Sequence, residues 1–226
     1  MSAQPTSPPT SPPTSPPVVR LILARHGEAE GSREFRFNGS SDVPLTPRGM
    51  AQARLLADAL YSVAPVAVYS SPLARARATA EAIATRANLV VEIQPNLREQ
   101  SYGSWERLTA DEARQRDPKR FAAWSAGQRI APPAGETLSA VRQRVVACVC
   151  ELAERHAGET VALVAHVGPI KALLCVAMGL PLSGSRRFWI DPASYSVVDW
   201  RVTADGQQHS LVRGINVVSH LSGLPR

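Results

Sequence analysis

Two histidines in this chain stand where chemistry can happen. In LILARHGEAE, Leu21 to Glu30, an apolar run of strand length ends in Arg25, His26 and Gly27. In VALVAHVGPIKALL the pattern repeats, with His166 closing a second apolar run. Glycine follows each, at Gly27 and Gly168. A third apolar run, Val66–Tyr69, leads into SSPLARARATA, which puts Arg75 in the first turn of a helix. Helix starts favour anions, and the guanidinium fork matches phosphate oxygens. Arg77 belongs to a solvated basic face. Two arginines, two imidazoles and a helix start describe a phosphate pocket with a nucleophile in it. A carboxyl group to protonate a leaving oxygen is sought in LREQSYGSWE, where Glu99 and Glu106 are the candidates.

The elements that must position these groups alternate. Strands are expected at Val18–Ala24, Val66–Tyr69, Val90–Ile93, Thr160–Ala165, Ser194–Trp200 and Ser210–Val218. Helices are expected from Thr46-Pro47 to Leu60, and over Pro72–Ala87, Thr109–Arg116, Pro118–Ala126, Thr137–His156 and Pro169–Met178. Threonine caps and first-turn prolines mark several starts, and Gly158 and Gly179 mark ends. This order predicts an α/β fold: a three-layer α/β/α sandwich on a mostly parallel central sheet. In such sheets ligands gather outside the carboxyl ends of the strands, which is where His26 and His166 fall.

Bulk properties narrow the classes. The chain has 226 residues and is 44% hydrophobic, enough for one sizeable core. No run reaches the apolar length of a membrane span, and the start lacks the apolar segment of a signal peptide. Three cysteines, Cys148, Cys150 and Cys175, sit in apolar helical patterns with no CxxC. They read as buried thiols of a reducing compartment, so a cytoplasmic location is expected. The five histidines are scattered, with no HxH or HExxH, and no metal site or cofactor is expected. The net charge of +6 is spread out rather than striped with aromatics, which argues against nucleic acid. Residues 1–17 contain TSPP three times and read as a disordered tail, leaving residues 18–226 as the folded domain.

Taken in order, Arg25-His26-Gly27-Glu28, LTPRGMAQA, SSPLARARATA, LREQSYGSWE and AHVG resemble the histidine phosphatase superfamily, the phosphoglycerate-mutase-like group with the RHG motif. The likeness runs from about residue 20 to about residue 221, ending in INVVSHL. It implies His26 as a nucleophile that becomes phosphohistidine. Arg25 and Arg75 would hold the phosphoryl oxygens, His166 would be the second pocket histidine, and Glu99 the proton donor. Two positions depart from the family pattern. Ser32 stands where many members have a phosphate-contacting Asn, so Ser32 or Asn38 would supply that contact. Glu106-Arg107 replaces a Glu-Gly pair, which questions the local turn.

The resemblance covers phosphatases, mutases and inactive members. Only 67 positions separate Glu99 from His166, short of the mutase insertion, and Gly168 stands where mutases carry Asn. Both favour a metal-independent phosphatase of the branch similar to α-ribazole and acid phosphatases, over a mutase. An idle binder would have lost one of the five pocket residues, and none is lost. Specificity toward a small phosphorylated metabolite is expected from Glu28, Gly168, Gln100, Tyr102 and the segment Arg107–Arg129, whose Phe121 and Trp124 could form a lid or core. α-Ribazole phosphate and 3-phosphoglycerate are both candidate substrates. Oligomeric state stays open, a homodimer included.

Overall fold

The computed structural model describes residues 17–203 and 205–224. The TSPP tail therefore lies outside the described residues, apart from Pro17.

In β1 (Val19–Arg25) the side chains alternate between two cores. Leu21 and Leu23 enter one cluster, and Ile22 and Ala24 enter the other. That period of two is what a strand buried on both faces requires. Strand β4 (Thr160–Ala165) does the same: Val161 and Leu163 face one way, Ala162 and Val164 the other. Helices α1 (Pro47–Tyr61) and α2 (Ala74–Ala87) cover one face through Leu56, Leu60 and Ile83. Helices α5 (Leu138–Arg155) and α6 (Val167–Ala177) cover the other through Val145, Leu152 and Leu173. The result is the expected three-layer α/β/α sandwich.

With β2 (Ala67–Ser70), β3 (Val91–Ile93), β5 (Tyr195–Val202) and β6 (Gln208–Val217), the sheet has six strands in the order β3-β2-β4-β1-β5-β6. Strands β1 to β4 pair in parallel, whereas β5 and β6 run antiparallel along one side. Strands β2, β4 and β1 are neighbours, with Ser70 opposite Val164 and Arg25 opposite Ala165. Their carboxyl ends consequently line up Ser71, His166 and His26, residues far apart in sequence.

Element boundaries move by a residue or two from expectation, and one shift matters. Helix α6 starts at Val167 rather than Pro169, which makes His166 its N-cap residue. Proline is tolerated in a first turn, where its missing N–H has no partner to lose, so the helix begins upstream of it. The remaining short helices, α3 (Ala110–Arg116) and α4 (Pro118–Ser125), build a satellite cluster of Trp105, Ala113 and Phe121 beside the site. No helix among the described residues is long and apolar enough to cross a membrane.

Thr46 links fold to site. Its hydroxyl accepts from the Gly49 N–H at 3.0 Å, capping α1, and donates to Glu28 Oε1 at 2.8 Å. Thr46→Ala is expected to lower stability by about 1–2 kcal/mol in urea unfolding, the range for a lost N-cap.

Candidate active site

His26 leaves β1 with its backbone fixed on both sides. Its N–H donates to Ala165 O at 3.1 Å, and its carbonyl accepts from Ala193 N at 3.0 Å. The ring Nδ1 lies 2.7 Å from the Gly27 carbonyl. A carbonyl only accepts, so Nδ1 carries the proton and Nε2 keeps a lone pair. Burial, then the charges of Arg75 and Arg25, holds this imidazole well below the usual histidine range. It is neutral near pH 7, as a nitrogen nucleophile must be. Gly27 is dictated by space, since a Cβ there would sit 2.4 Å from the Gly49 carbonyl oxygen.

Arg75 reaches His26 from α2, with Nε 3.3 Å from Nε2. It is only 1% exposed. Its other nitrogens donate to the carbonyls of Ser41 and Gly39, each at 2.7 Å. That loop is itself pinned by Glu106, which accepts from Ser40 N at 2.9 Å and Ser41 Oγ at 2.8 Å. Glu106, one of the two carboxyl candidates, is thus a strut for the arginine loop. Thr79 adds a tie, donating to Arg75 O at 2.9 Å and accepting from Gly27 N at 3.1 Å. The start of α2 is less free for an anion than the sequence suggests: Asp42 Oδ1 already accepts from Ala74 N at 2.6 Å. Arg77 is exposed, as expected of a solvated face.

Arg25 and His166 complete the basin. Arg25 donates to Ile190 O at 2.6 Å, which aims the guanidinium, while its buried Nε has no partner among the described residues. Burial lowers its pKa to about 10, so it stays charged at neutral pH. The His166 ring lies 4.9 Å from that of His26, tilted by 59°. Its Nε2 meets Ser71 Oγ at 2.7 Å, and its buried Nδ1 has no partner among the described residues. Ser71 Oγ already accepts from Leu73 N at 3.3 Å, and where its hydroxyl donates to Nε2 the ring hydrogen sits on Nδ1. Leaving such donors without partners costs about 1–3 kcal/mol each, and an oxyanion removes that cost.

Glu99 closes the far side. It is 8% exposed, and its Oε1 accepts from Gln100 N at 2.8 Å and Gly168 N at 3.0 Å. Burial raises its pKa above the usual carboxyl range, although these N–H groups and Arg75 pull the other way. The Gly168 N–H is available because α6 starts early, placing it in the first turn. A Cβ on residue 168 would lie 2.4 Å from Glu99 Oε1. Gly168 therefore acts by letting the carboxyl approach.

Three residues expected at the phosphate or substrate have protein partners as well. Glu28 is drawn into a polar cluster of its own, with Thr46, Arg33 at 3.1 Å and Arg48 at 3.7 Å. The opposite charges on the neighbouring loop and α1 capture it. Ser32 Oγ accepts from the Ala29 N–H at 3.1 Å, closing a turn, and that bond leaves its O–H able to donate. Asn38 is engaged at both ends, donating to Glu30 O at 2.8 Å and accepting from Arg107 Nη1 at 2.8 Å. That last bond also answers the question of the turn. Arg107 has φ +65°, a conformation glycine adopts freely, and its hold on Asn38 and its N–H bond to Phe37 O fix it there.

A cavity of about 610 Å³ adjoins the basin, lined in part by Gln100, Tyr102, Trp124 and Gly168. The aromatic segment is divided: Phe121 is 5% exposed and belongs to the satellite core, while Trp124 turns one face to the cavity. Sequence reasoning missed Ser71 and Thr79, although Ser71 follows directly on the third strand end. Among the described residues no group of three or more His, Cys, Asp or Glu side chains could hold a metal ion.

An α/β sheet whose strand ends hold two neutral imidazoles among buried guanidiniums defines a phosphoryl-binding histidine site. The family description "histidine phosphatase superfamily (branch 1)" matches residues 21–211, and the chain belongs to this family. It is 34% identical over 205 residues to phosphoserine phosphatase 1 of Hydrogenobacter thermophilus, covering 90% of this chain and 95% of that one. It is 32% identical over 182 residues to the adenosylcobalamin/alpha-ribazole phosphatase of Escherichia coli, covering 80% and 90% respectively. A bifunctional protein of Mycobacterium tuberculosis, 36% identical, is longer, and this chain spans 58% of it. Among solved structures, mycobacterial glucosyl-3-phosphoglycerate phosphatase complexed with VO3 superposes with a TM-score of 0.81 at 29% identity, covering 88% and 99%.

Gly168→Ala tests the tight approach of Glu99. Displacing that carboxyl by the width of a methyl group is expected to lower kcat on the order of 10²-fold, with the unfolding midpoint little changed.

Proposed function

We propose that the chain hydrolyses phosphomonoesters of small metabolites through a phosphohistidine at His26, without a metal. One observation carries this reading: the lone pair of neutral His26 Nε2 shares a basin with Arg75, Arg25 Nε and His166 Nδ1. Such donors stabilise the equatorial oxygens of a transferring phosphoryl group in the transition state. Several relatives are named as phosphatases of small phosphorylated compounds, which supports the same class.

Two displacements follow. Nε2 attacks phosphorus, the P–O bond to the leaving group breaks, and the Glu99 proton passes to the departing oxygen. Glu99, now a carboxylate, takes a proton from water, and the resulting hydroxide attacks phosphorus. The P–N bond breaks, its electron pair returns to Nε2, and inorganic phosphate leaves. Water must reach the phosphohistidine for this. Exposed residues such as Gly127, Gln128 and Arg129 line the adjoining cavity and leave it open to solvent, which favours hydrolysis over mutase transfer. We place the protein in the cytoplasm, a reading supported by its three free cysteines, two of them buried.

The first test is turnover of p-nitrophenyl phosphate in the presence of chelator. His26→Ala is expected to lose activity on the order of 10³-fold or more. Persistence of turnover in that variant, or its loss with chelator alone, contradicts the mechanism. Glu99→Gln separates leaving groups. An alkyl phosphate needs the proton and should lose about 10²–10⁴-fold, while the good p-nitrophenolate leaving group should lose far less. The pH profile has a fixed sign. Activity falls as pH drops through the lowered pKa of His26, which then protonates. It also falls as pH rises through the raised pKa of Glu99, which then loses its proton. An acid-to-neutral optimum on alkyl phosphates is expected, with the alkaline limb absent in Glu99→Gln.

A further inference from the structure

The cavity beside the basin is lopsided in charge. Lys171, Arg186, Arg129 and Arg142 line it, and no Asp or Glu does. None of the four has a carboxylate partner among the described residues. Arg186 donates only to the backbone carbonyls of Trp124, at 2.8 Å, and Ser125. This ties the 3-10 turn Leu182–Arg187 to the end of α4 and holds the guanidinium at the rim. Lys171 is half-buried, its ammonium 5.6 Å from the Phe188 ring and 5.8 Å from that of Trp189.

Position gives Lys171 its meaning. It follows Gly168 by three residues on α6, hence about 4.5 Å further along the helix and on nearly the same face. Gly168 N is the group that holds Glu99. Gly168 and Lys171 both line the cavity, so the ammonium and the helix turn that holds Glu99 face the same space. Arg25 and Glu99 both act electrostatically on Lys171, which agrees with that placement, and burial lowers its pKa.

We propose that this cavity selects phosphomonoesters whose leaving group carries a second anion, a carboxylate or another phosphate, and that Lys171 is its principal contact with Arg186 beside it. The inference rests on the hydrolytic reading above and narrows it. A second anion on the leaving group would face this cationic lining, which holds no carboxylate to repel it, and the half-buried Lys171 is the least hydrated of the four cations.

The experiment compares kcat/KM for 3-phosphoglycerate and for glycerol 3-phosphate, which replaces the carboxylate with a neutral hydroxymethyl group. Propane-1,3-diol bisphosphate is the third arm and separates a carboxylate from a phosphate as the second anion. Wild-type protein is expected to prefer at least one anionic substrate over the neutral one by about tenfold or more, as a half-buried charge pair gives. In Lys171→Gln that ratio should collapse toward one, chiefly through KM, and Lys171→Arg should restore part of it. Equal turnover of all three substrates by wild type would overturn the proposal, and so would a preference unchanged in Lys171→Gln. Absence of turnover on every phosphomonoester, p-nitrophenyl phosphate included, would instead sink the hydrolytic reading.

Discussion

The site depends on keeping two imidazoles uncharged beside two arginines that cannot lose their charge. Arg75 is the centre of that constraint. It is almost wholly buried and forms no ion pair at bonding distance among the described residues, and two backbone carbonyls hold it in place. A carboxylate in their place would cancel the charge the basin needs for a phosphoryl group. Carbonyl dipoles secure the guanidinium and leave its charge to act on His26 and on an incoming anion. The same charge, added to burial, keeps His26 and His166 neutral.

Much of the surrounding structure serves that arrangement. Glu106 fixes the loop that supplies the carbonyls, and Asn38 with Arg107 braces the same loop from its other end. Thr79 joins Arg75 to the Gly27 turn, so the arginine and the histidine it contacts share one anchor. Trp105, in the 3-10 turn Gly103–Trp105, packs with Ala113 of α3 and Phe121 of α4, and its indole N–H reaches Asp117 at 2.6 Å, so the Glu106 segment rests on a packed base. Strain is accepted where it buys placement: Arg107 holds a left-handed backbone that glycine would adopt more easily.

Glu99 answers to the opposite requirement. Its carboxyl must be able to hold a proton and give it up, so it sits buried but is tethered by two N–H groups on one oxygen only. The other oxygen is left for the proton. Gly168 makes this geometry possible, and the cationic cavity begins immediately beyond it. Chemistry and selection thus share one helix, with α6 presenting His166, Gly168 and Lys171 in succession.

The sequence by itself determined the alternation of strands and helices, the two-faced burial of β1 and β4, and the arrival of His26 and His166 at strand ends. These are legible because hydrophobic period, caps and breakers are local properties of the chain. Arg75 and Glu99 were legible through motif order. What tertiary structure alone decided is which polar groups each side chain meets. Glu28 went to Thr46, Arg33 and Arg48, Ser32 to its own turn, and Glu106 to the arginine loop. Lys171 gained its position only when α6 began at Val167 and lay beside Glu99. Hydrogen-bond and charge partners are chosen among groups brought together by folding from distant positions, and no local pattern in the chain records that choice.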